Sequence, residues 1–434
     1  RRDLEKLFDS LKNTYIEKPL IKLENDVKEA YNNSLKIETF NSNIEKAFED
    51  KDIDRVIKLL KNRPGEFARR LDRALRLAET KDDSNKIVRA FSDIADKIPT
   101  PLLLQLQEYF TRRGENRIEQ RVFFPKGSTA KAYGIENNLK ELDSTTCKRI
   151  ADICQLRLMN EYSKKDYLGK VYIDKELKNY IAPMSQRTAS KSLKSVARGS
   201  KMTIDEDANI LRHFVYWKNN SCRVDVDLSV VAYNEDFDML TNVYYCHLKD
   251  NQYGLVHSGD FVSSYGEGAT EYIDIDINKA KLNGVRYLAV VINSFTNDFF
   301  SNMEDCFMGF MYRDNAQSGE VFDARTVVNK TDITAEATQV VSTIIDLEEM
   351  AIYWADLPLT SSAGLNNINS NQSGIGHTLK SILNICKPNL YDLIEMNALA
   401  RGELVFSREE ADVVFALDGD ITPYDTDIIV SEYL

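Results

Sequence analysis

No apolar run in these 434 residues reaches the length of about 18 that a membrane-crossing helix needs, so none is expected. The chain starts Arg1-Arg2-Asp3, without Met or an apolar leader, and reads as a piece of something longer. Paired cysteine motifs are missing too. Cys147, Cys154, Cys222, Cys246, Cys306 and Cys386 are scattered, and a chain of this size needs no stapling. They read as free thiols in a reducing cytoplasm. The four histidines, His213, His247, His257 and His377, show neither H-x-H nor H-E-x-x-H spacing, which leaves zinc chemistry little to stand on. Positive charge is scarce: 56 Lys and Arg face 68 Asp and Glu, and a net charge of -12 argues against a general nucleic-acid binder. No complete catalytic signature is present. Lys126-Gly127-Ser128-Thr129 puts Lys ahead of Gly, unlike a phosphate-binding loop, and no G-x-S-x-G elbow occurs.

Hydrophobic content of 43% and charged content of 29% are ordinary for globular domains, and the length calls for two to four of them. The periodicity predicts a multi-domain α+β protein. Residues 1–118 carry helical stripes such as Leu4, Leu7, Phe8 and Leu11, then Phe67, Leu71 and Leu75, and so read as a helical bundle or a stack of helical hairpins. Pro64-Gly65, Lys81-Asp82-Asp83-Ser84, and Pro99 with Pro101 read as breaks between these helices. Residues 119–204 form a mixed α/β connecting region. From 205 to 358 the apolar period becomes two, with about ten short strands and no helical pattern between them, which predicts an antiparallel two-sheet sandwich. Residues 359–374 read as a linker and 375–434 as a short helical C-terminal region.

The sandwich carries the chemistry. In Val224-Asp225-Val226-Asp227-Leu228-Ser229-Val230, alternation puts the apolar residues on one face and Asp225, Asp227 and Ser229 on the other. Tyr272-Ile273-Asp274-Ile275-Asp276 repeats the device, with Asp274 and Asp276 expected outward. Strands disfavour Asp, and aligned carboxylates repel unless a cation sits among them. Asp260, Glu267 and Glu271 lie between and beside these strands, amid glycines. An all-oxygen set of this kind suits a hard cation such as Ca²⁺. A solvated acidic sheet edge is the ordinary alternative, and the pattern alone leaves both open.

Asp225-Val226-Asp227-Leu228-Ser229, Tyr244-Tyr245, His257-Ser258-Gly259-Asp260, Gly266-Glu267-Gly268 and Glu271-Tyr272-Ile273-Asp274-Ile275-Asp276 follow one another in that order. The stretch 205–358 thereby resembles the TerD family of bacterial tellurite-resistance and stress-response proteins. The resemblance implies a β-sandwich that binds calcium through acidic loops, without known catalysis. It carries Asp225, Asp227, Asp260, Glu267 and Glu271 over as candidate ligands, and Ser229 and Asp274 join them from the strand faces. Ala269-Thr270 stand where the family has an acidic pair, which puts one of two neighbouring ion sites in doubt.

Other constellations have plainer readings. His257 beside Ser258 suggests a hydrolytic pair, but neighbours in an extended segment point to opposite faces. Asp418-Gly419-Asp420 misses the calcium-loop template at two positions. The basic segment 185–201, with Arg187, Lys191, Lys194 and Arg198, has the charge to hold a phosphate but no interleaved aromatics, and a solvated connector is favoured. The resulting expectation is a cytoplasmic, non-enzymatic, Ca²⁺-binding scaffold of a bacterial stress, tellurite-resistance or defence system. Its helical flanks would contact protein partners or a second copy. The alternative is a nucleic-acid- or phosphate-ligand-binding protein using 185–201.

Overall fold

The computed structural model describes residues 17–32, 39–114, 120–123, 133–184, 190–191, 196–219, 223–263, 268–319, 321, 326–359, 372–384 and 386–434. Packing divides the chain into two units, Arg1–Lys97 and Ile98–Leu434. The division falls ahead of the boundary expected near 118.

The first unit holds α1 (Glu17–Asn32), α2 (Phe40–Glu49), α3 (Ile53–Lys61), α4 (Pro64–Leu77) and α5 (Lys81–Ser92). Their starts are written in capping chemistry. Thr39 and Asp52 accept from the backbone N–H groups of Ser42 and Arg55, and Pro64 sits in the first turn of α4. Lys81-Asp82-Asp83-Ser84 does not break the chain as expected. Thr80 and Asp83 form a capping box, so the segment is the first turn of α5, where acids suit the helix dipole. Phe67 and Phe91 meet edge-on at 6.1 Å inside a core that includes Phe48, Leu60 and Leu71.

The second unit opens with α6 (Thr100–Gly114), the strands β1 (Gln120–Phe123) and β2 (Tyr133–Glu136), α7 (Ser144–Tyr162) and β3 (Lys170–Ile173). α6 packs along α7, and a Cβ at Gly114 would lie 3.1 Å from that of Cys147. That close approach places α6 in this unit. Next come β4 (Ser190–Lys191), β5 (Lys201–Thr203), β6 (Ile210–Lys218), β7 (Val226–Tyr233) and β8 (Met239–Val243). β9 (Lys249–Asp250), β10 (Leu255–His257), β11 (Ala269–Asp276), α8 (Ile277–Leu282), β12 (Tyr287–Ser294) and β13 (Asp305–Arg313) follow. The chain continues through β14 (Val327–Ile333), β15 (Gln339–Asp346), β16 (Ala351–Leu359), α9 (Gln372–Leu383), α10 (Leu390–Arg401), β17 (Glu403–Leu404) and β18 (Val413–Phe415). No helix among the described residues is long and apolar enough to cross a membrane.

Two antiparallel sheets make the sandwich, in the orders β4-β14-β13-β6-β11-β10-β9 and β5-β16-β15-β12-β7-β8. The sandwich recruits elements from beyond 205–358. β4 pairs with β14, β5 pairs with β16, and α9 lays Ile375, Leu379 and Ile382 against Val231, Tyr233, Ala289 and Val291. α8 interrupts the expected run of strands because Asp276 caps it, accepting from Lys279 N–H at 2.9 Å. The C-terminal region is not purely helical: β17 and β18 flank β3 in a parallel three-stranded sheet.

β7 and β12 are buried at every position. By alternation, Asp225, Asp227 and Ser229 share the face of Val231 that α9 covers further along. The carboxylates expected to face outward therefore lie in a covered layer: Asp225 is 4% and Asp227 3% exposed.

Candidate metal site

β8 pairs with β7 no further than Val230 opposite Val243, so the β7 edge beyond that point meets side chains instead of a strand. Glu271, on β11 of the facing sheet, accepts the Leu228 N–H at 2.8 Å. His257, at the end of β10, places Nε2 3.0 Å from Leu228 O, and its Nδ1 accepts the Gly259 N–H at 3.1 Å. That pattern puts the ring proton on Nε2. The second oxygen of Glu271 accepts the Phe261 N–H at 3.0 Å. One buried carboxylate thus braces both β7 and the loop that follows β10.

β7 carries Asp225 and Asp227, and the loop carries Asp260. One carboxylate oxygen from each of the three lies within 4.8 Å of the others. Asp225 and Asp227 are buried and Asp260 is exposed, so the cluster opens on one side. Asn293, opposite Asp227 on β12, approaches Asp227 at 3.4 Å. Arg223 Nη2 reaches Asp225 Oδ2 at 3.2 Å, while Asp225 Oδ1 is buried with no hydrogen-bond partner among the described residues.

Burial pushes the Asp227 carboxyl up to about 8, and the neighbouring charges of Glu271, Asp225 and Asp260 push the same way against the hydrogen bond from Asn293. Asp225 is also raised, first by burial and then by Asp260, with Arg223 opposing. Carboxylates raised by one another describe a site short of positive charge. An orphaned buried oxygen inside an all-oxygen set fits a hard divalent cation, and the open side leaves room for water or backbone ligands.

The structure does not gather every expected ligand. Asp274 sits on the opposite face of β11 from Glu271 and is committed to Arg212, through Nε at 2.6 Å and Nη2 at 2.8 Å, with both side chains fully buried. Gln317 N–H also donates to it. Asp276 caps α8. Ser229 is buried on β7, two residues beyond Asp227 and on the same face. Glu267 lies outside the described residues, as do Arg187 and Lys194. Lys191 belongs to β4, opposite Asp332. Arg198 is partly buried and donates to the carbonyls of Ala355 and Asp356. His257 makes no bond to Ser258, whose Oγ instead accepts the Tyr272 N–H at 3.0 Å, so the hydrolytic pair does not form.

Sequence reading missed Arg223 and Asn293. Nothing in a single sequence marks Arg223. Asn293 could have been flagged as a polar interruption at the end of an otherwise apolar β12.

No family model matches the chain. The tellurium resistance protein TerZ of Serratia marcescens is 29% identical over 84 residues, which are 19% of this chain and 43% of that protein. The chain therefore matches less than half the length of that relative. A crystal structure of a homologue of telluride resistance protein (TerD) from Streptomyces coelicolor A3(2) covers 38% of this chain and 98% of its own. Its TM-score is 0.31 and its identity 10%. The chain that carries the ordered acidic motifs of the sandwich is thus similar, over part of its length, to a tellurium resistance protein.

Proposed function

We propose that the chain is a non-enzymatic Ca²⁺-binding protein of a tellurite-resistance or related stress system, acting through protein partners. Asp225, Asp227 and Asp260 supply the side-chain ligands, and Glu271 is the brace that sets their spacing. The observation that carries this reading is Asp225 Oδ1, buried and unpaired among carboxylates that raise one another. Burying such a group without a partner costs about 1–3 kcal/mol, and a divalent cation removes that cost. It also relieves the repulsion and pins the Asp260 loop to β7. Flexible carboxylates in an open cluster favour Ca²⁺ over Mg²⁺, which demands a near-ideal octahedron.

Calorimetric titration of the full chain tests this. Ca²⁺ should bind with a Kd of about 10⁻⁷–10⁻⁵ M, with Mg²⁺ weaker. Bound ion must also raise the thermal midpoint. A melt indifferent to both millimolar Ca²⁺ and EDTA would sink the reading.

A further inference from the structure

A guanidinium of the chain itself already bridges the parts of the carboxylate cluster that an ion would join. Arg223 lies two residues ahead of Asp225 and reaches its Oδ2 through Nη2 at 3.2 Å. Its Nε donates to the carbonyl of Val262 at 2.8 Å, two residues beyond Asp260 in the loop that follows β10. Arg223 therefore ties the leading end of β7 to the segment that carries Asp260. The two partners of the ion pair differ in burial: the Arg223 side chain is 60% exposed and that of Asp225 6%. The neighbouring charges that raise Asp227 are all carboxylates, whereas Arg223 opposes the rise at Asp225.

A cation bound through the unpaired Asp225 Oδ1 shares that carboxyl with the guanidinium, one on each oxygen. An arginine stays charged, so the ion must face that charge or release it. Facing it is unfavourable. A unit charge about 6 Å from a divalent ion weakens binding by about tenfold in a water-like dielectric, and by about threefold after screening at physiological salt. Releasing it is easier, because an exposed ion pair contributes little and the side chain is already mostly in solvent. Val262 is itself 38% exposed, which leaves water within reach of the carbonyl that Arg223 gives up.

We propose that Arg223 is the resident counter-ion of the cluster and sets its affinity: without Ca²⁺ it holds Asp225 and the Asp260 loop together, and Ca²⁺ displaces it into solvent. This rests on the Ca²⁺ reading above. The test is calorimetric Ca²⁺ titration of the full chain and of its Arg223→Gln variant. The Arg223 Nε–H resonance, identified by its loss in the variant, is followed by NMR through the same titration. The variant should bind Ca²⁺ about three- to fivefold more tightly, which is the strength of an exposed ion pair. In the parent, the Nε–H should exchange slowly with water before Ca²⁺ is added and rapidly once the site is full. A variant that binds Ca²⁺ no tighter than the parent overturns the proposal, and one that binds more weakly makes Arg223 a support for Asp225 instead. An Nε–H resonance that stays unchanged while the isotherm shows bound ion overturns it as well. A parent chain that takes up no Ca²⁺ overturns the ion site itself, and the role of Arg223 with it.

Discussion

His257 and Glu271 hold Leu228 from the same side, the ring nitrogen at its carbonyl and the carboxylate at its N–H, with His257 Nε2 and Glu271 Oε2 3.4 Å apart. Together they replace the strand that β8 does not supply. Both polar groups of a buried backbone residue are thereby satisfied. The arrangement also sets where Asp227 sits, one residue away along β7, and where Asp260 sits, one residue from the other end of the same carboxylate.

Glu271→Gln is therefore expected to act through geometry. The amide has one acceptor oxygen where the carboxylate offered two, so either Leu228 or Phe261 loses its partner. Thermal stability of the ion-free chain should drop by about 1–3 kcal/mol, and Ca²⁺ affinity should fall although Asp225, Asp227 and Asp260 are intact. An unchanged melting midpoint together with an unchanged isotherm would show that the brace is dispensable.

Asp227→Asn separates binding from folding. The amide keeps the volume, so no cavity forms, and it removes a buried charge that Glu271 and Asp225 oppose. Ca²⁺ affinity should fall at least about tenfold, or 1.4 kcal/mol, while the ion-free variant at alkaline pH should be no less stable than the parent. Loss of the sandwich signal in circular dichroism without Ca²⁺ would mark Asp227 as structural instead.

The pH dependence has a definite sign. Asp227 titrates near 8 in the folded chain and near 4 when unfolded, so across this window the folded state holds the extra proton. Without Ca²⁺, this contribution to stability is complete below about pH 4 and is lost as pH rises through about 8. Ca²⁺ needs the deprotonated group, so its affinity should climb over the same window, with protons released on binding. Calorimetry in two buffers of different ionisation enthalpy counts those protons. Equal heats in both would refute the assignment.

Sequence alone went furthest where one local rule dominated. The strands of the sandwich follow period-two patterning, and Asp225-Val226-Asp227 pointed to two members of the carboxylate cluster because strands avoid Asp without a reason. The same rule misread Asp274 and Asp276, whose reasons are Arg212 across the sheet and the start of α8. Cross-strand partners depend on register, which one sequence does not display. Burial of the face of β7 around Val231 and Tyr233 involves α9, which packs from beyond residue 371 and is invisible to any local pattern. Likewise Lys81-Asp82-Asp83-Ser84 carries the composition of a break, and only the bond between Thr80 and Asp83 reveals a helix start.

The Arg212–Asp274 pair makes a contrasting prediction, since it lies on the far face of β11 and owes nothing to the ion. Arg212 also stacks over Tyr272, its guanidinium carbon 3.8 Å from the ring centroid. Asp274→Asn leaves a buried guanidinium unmatched, which should cost about 3–5 kcal/mol. The loss should be the same with and without Ca²⁺ in denaturant melts. A loss that Ca²⁺ rescues would place Asp274 back among the ligands.

The segment 185–201 separates the scaffold reading from a phosphate-binding one through Arg198. Its guanidinium donates to the carbonyls of Ala355 and Asp356, and Asp356 holds a left-handed backbone with φ 43°, where a non-glycine residue is strained. Arg198 therefore anchors this segment to β16, and Arg198→Gln should lower stability by about 1–3 kcal/mol. Lys191→Gln, on the short edge strand β4, should leave stability nearly unchanged. If the segment gripped phosphates instead, both variants would weaken oligonucleotide binding, and each would flatten its salt dependence by about one unit of slope. A net charge of -12 repels a polyanion everywhere else on the chain, so no binding is expected at physiological salt. Fluorescence anisotropy giving sub-micromolar affinity at about 150 mM salt would reverse the conclusion and make the basic segment the working site.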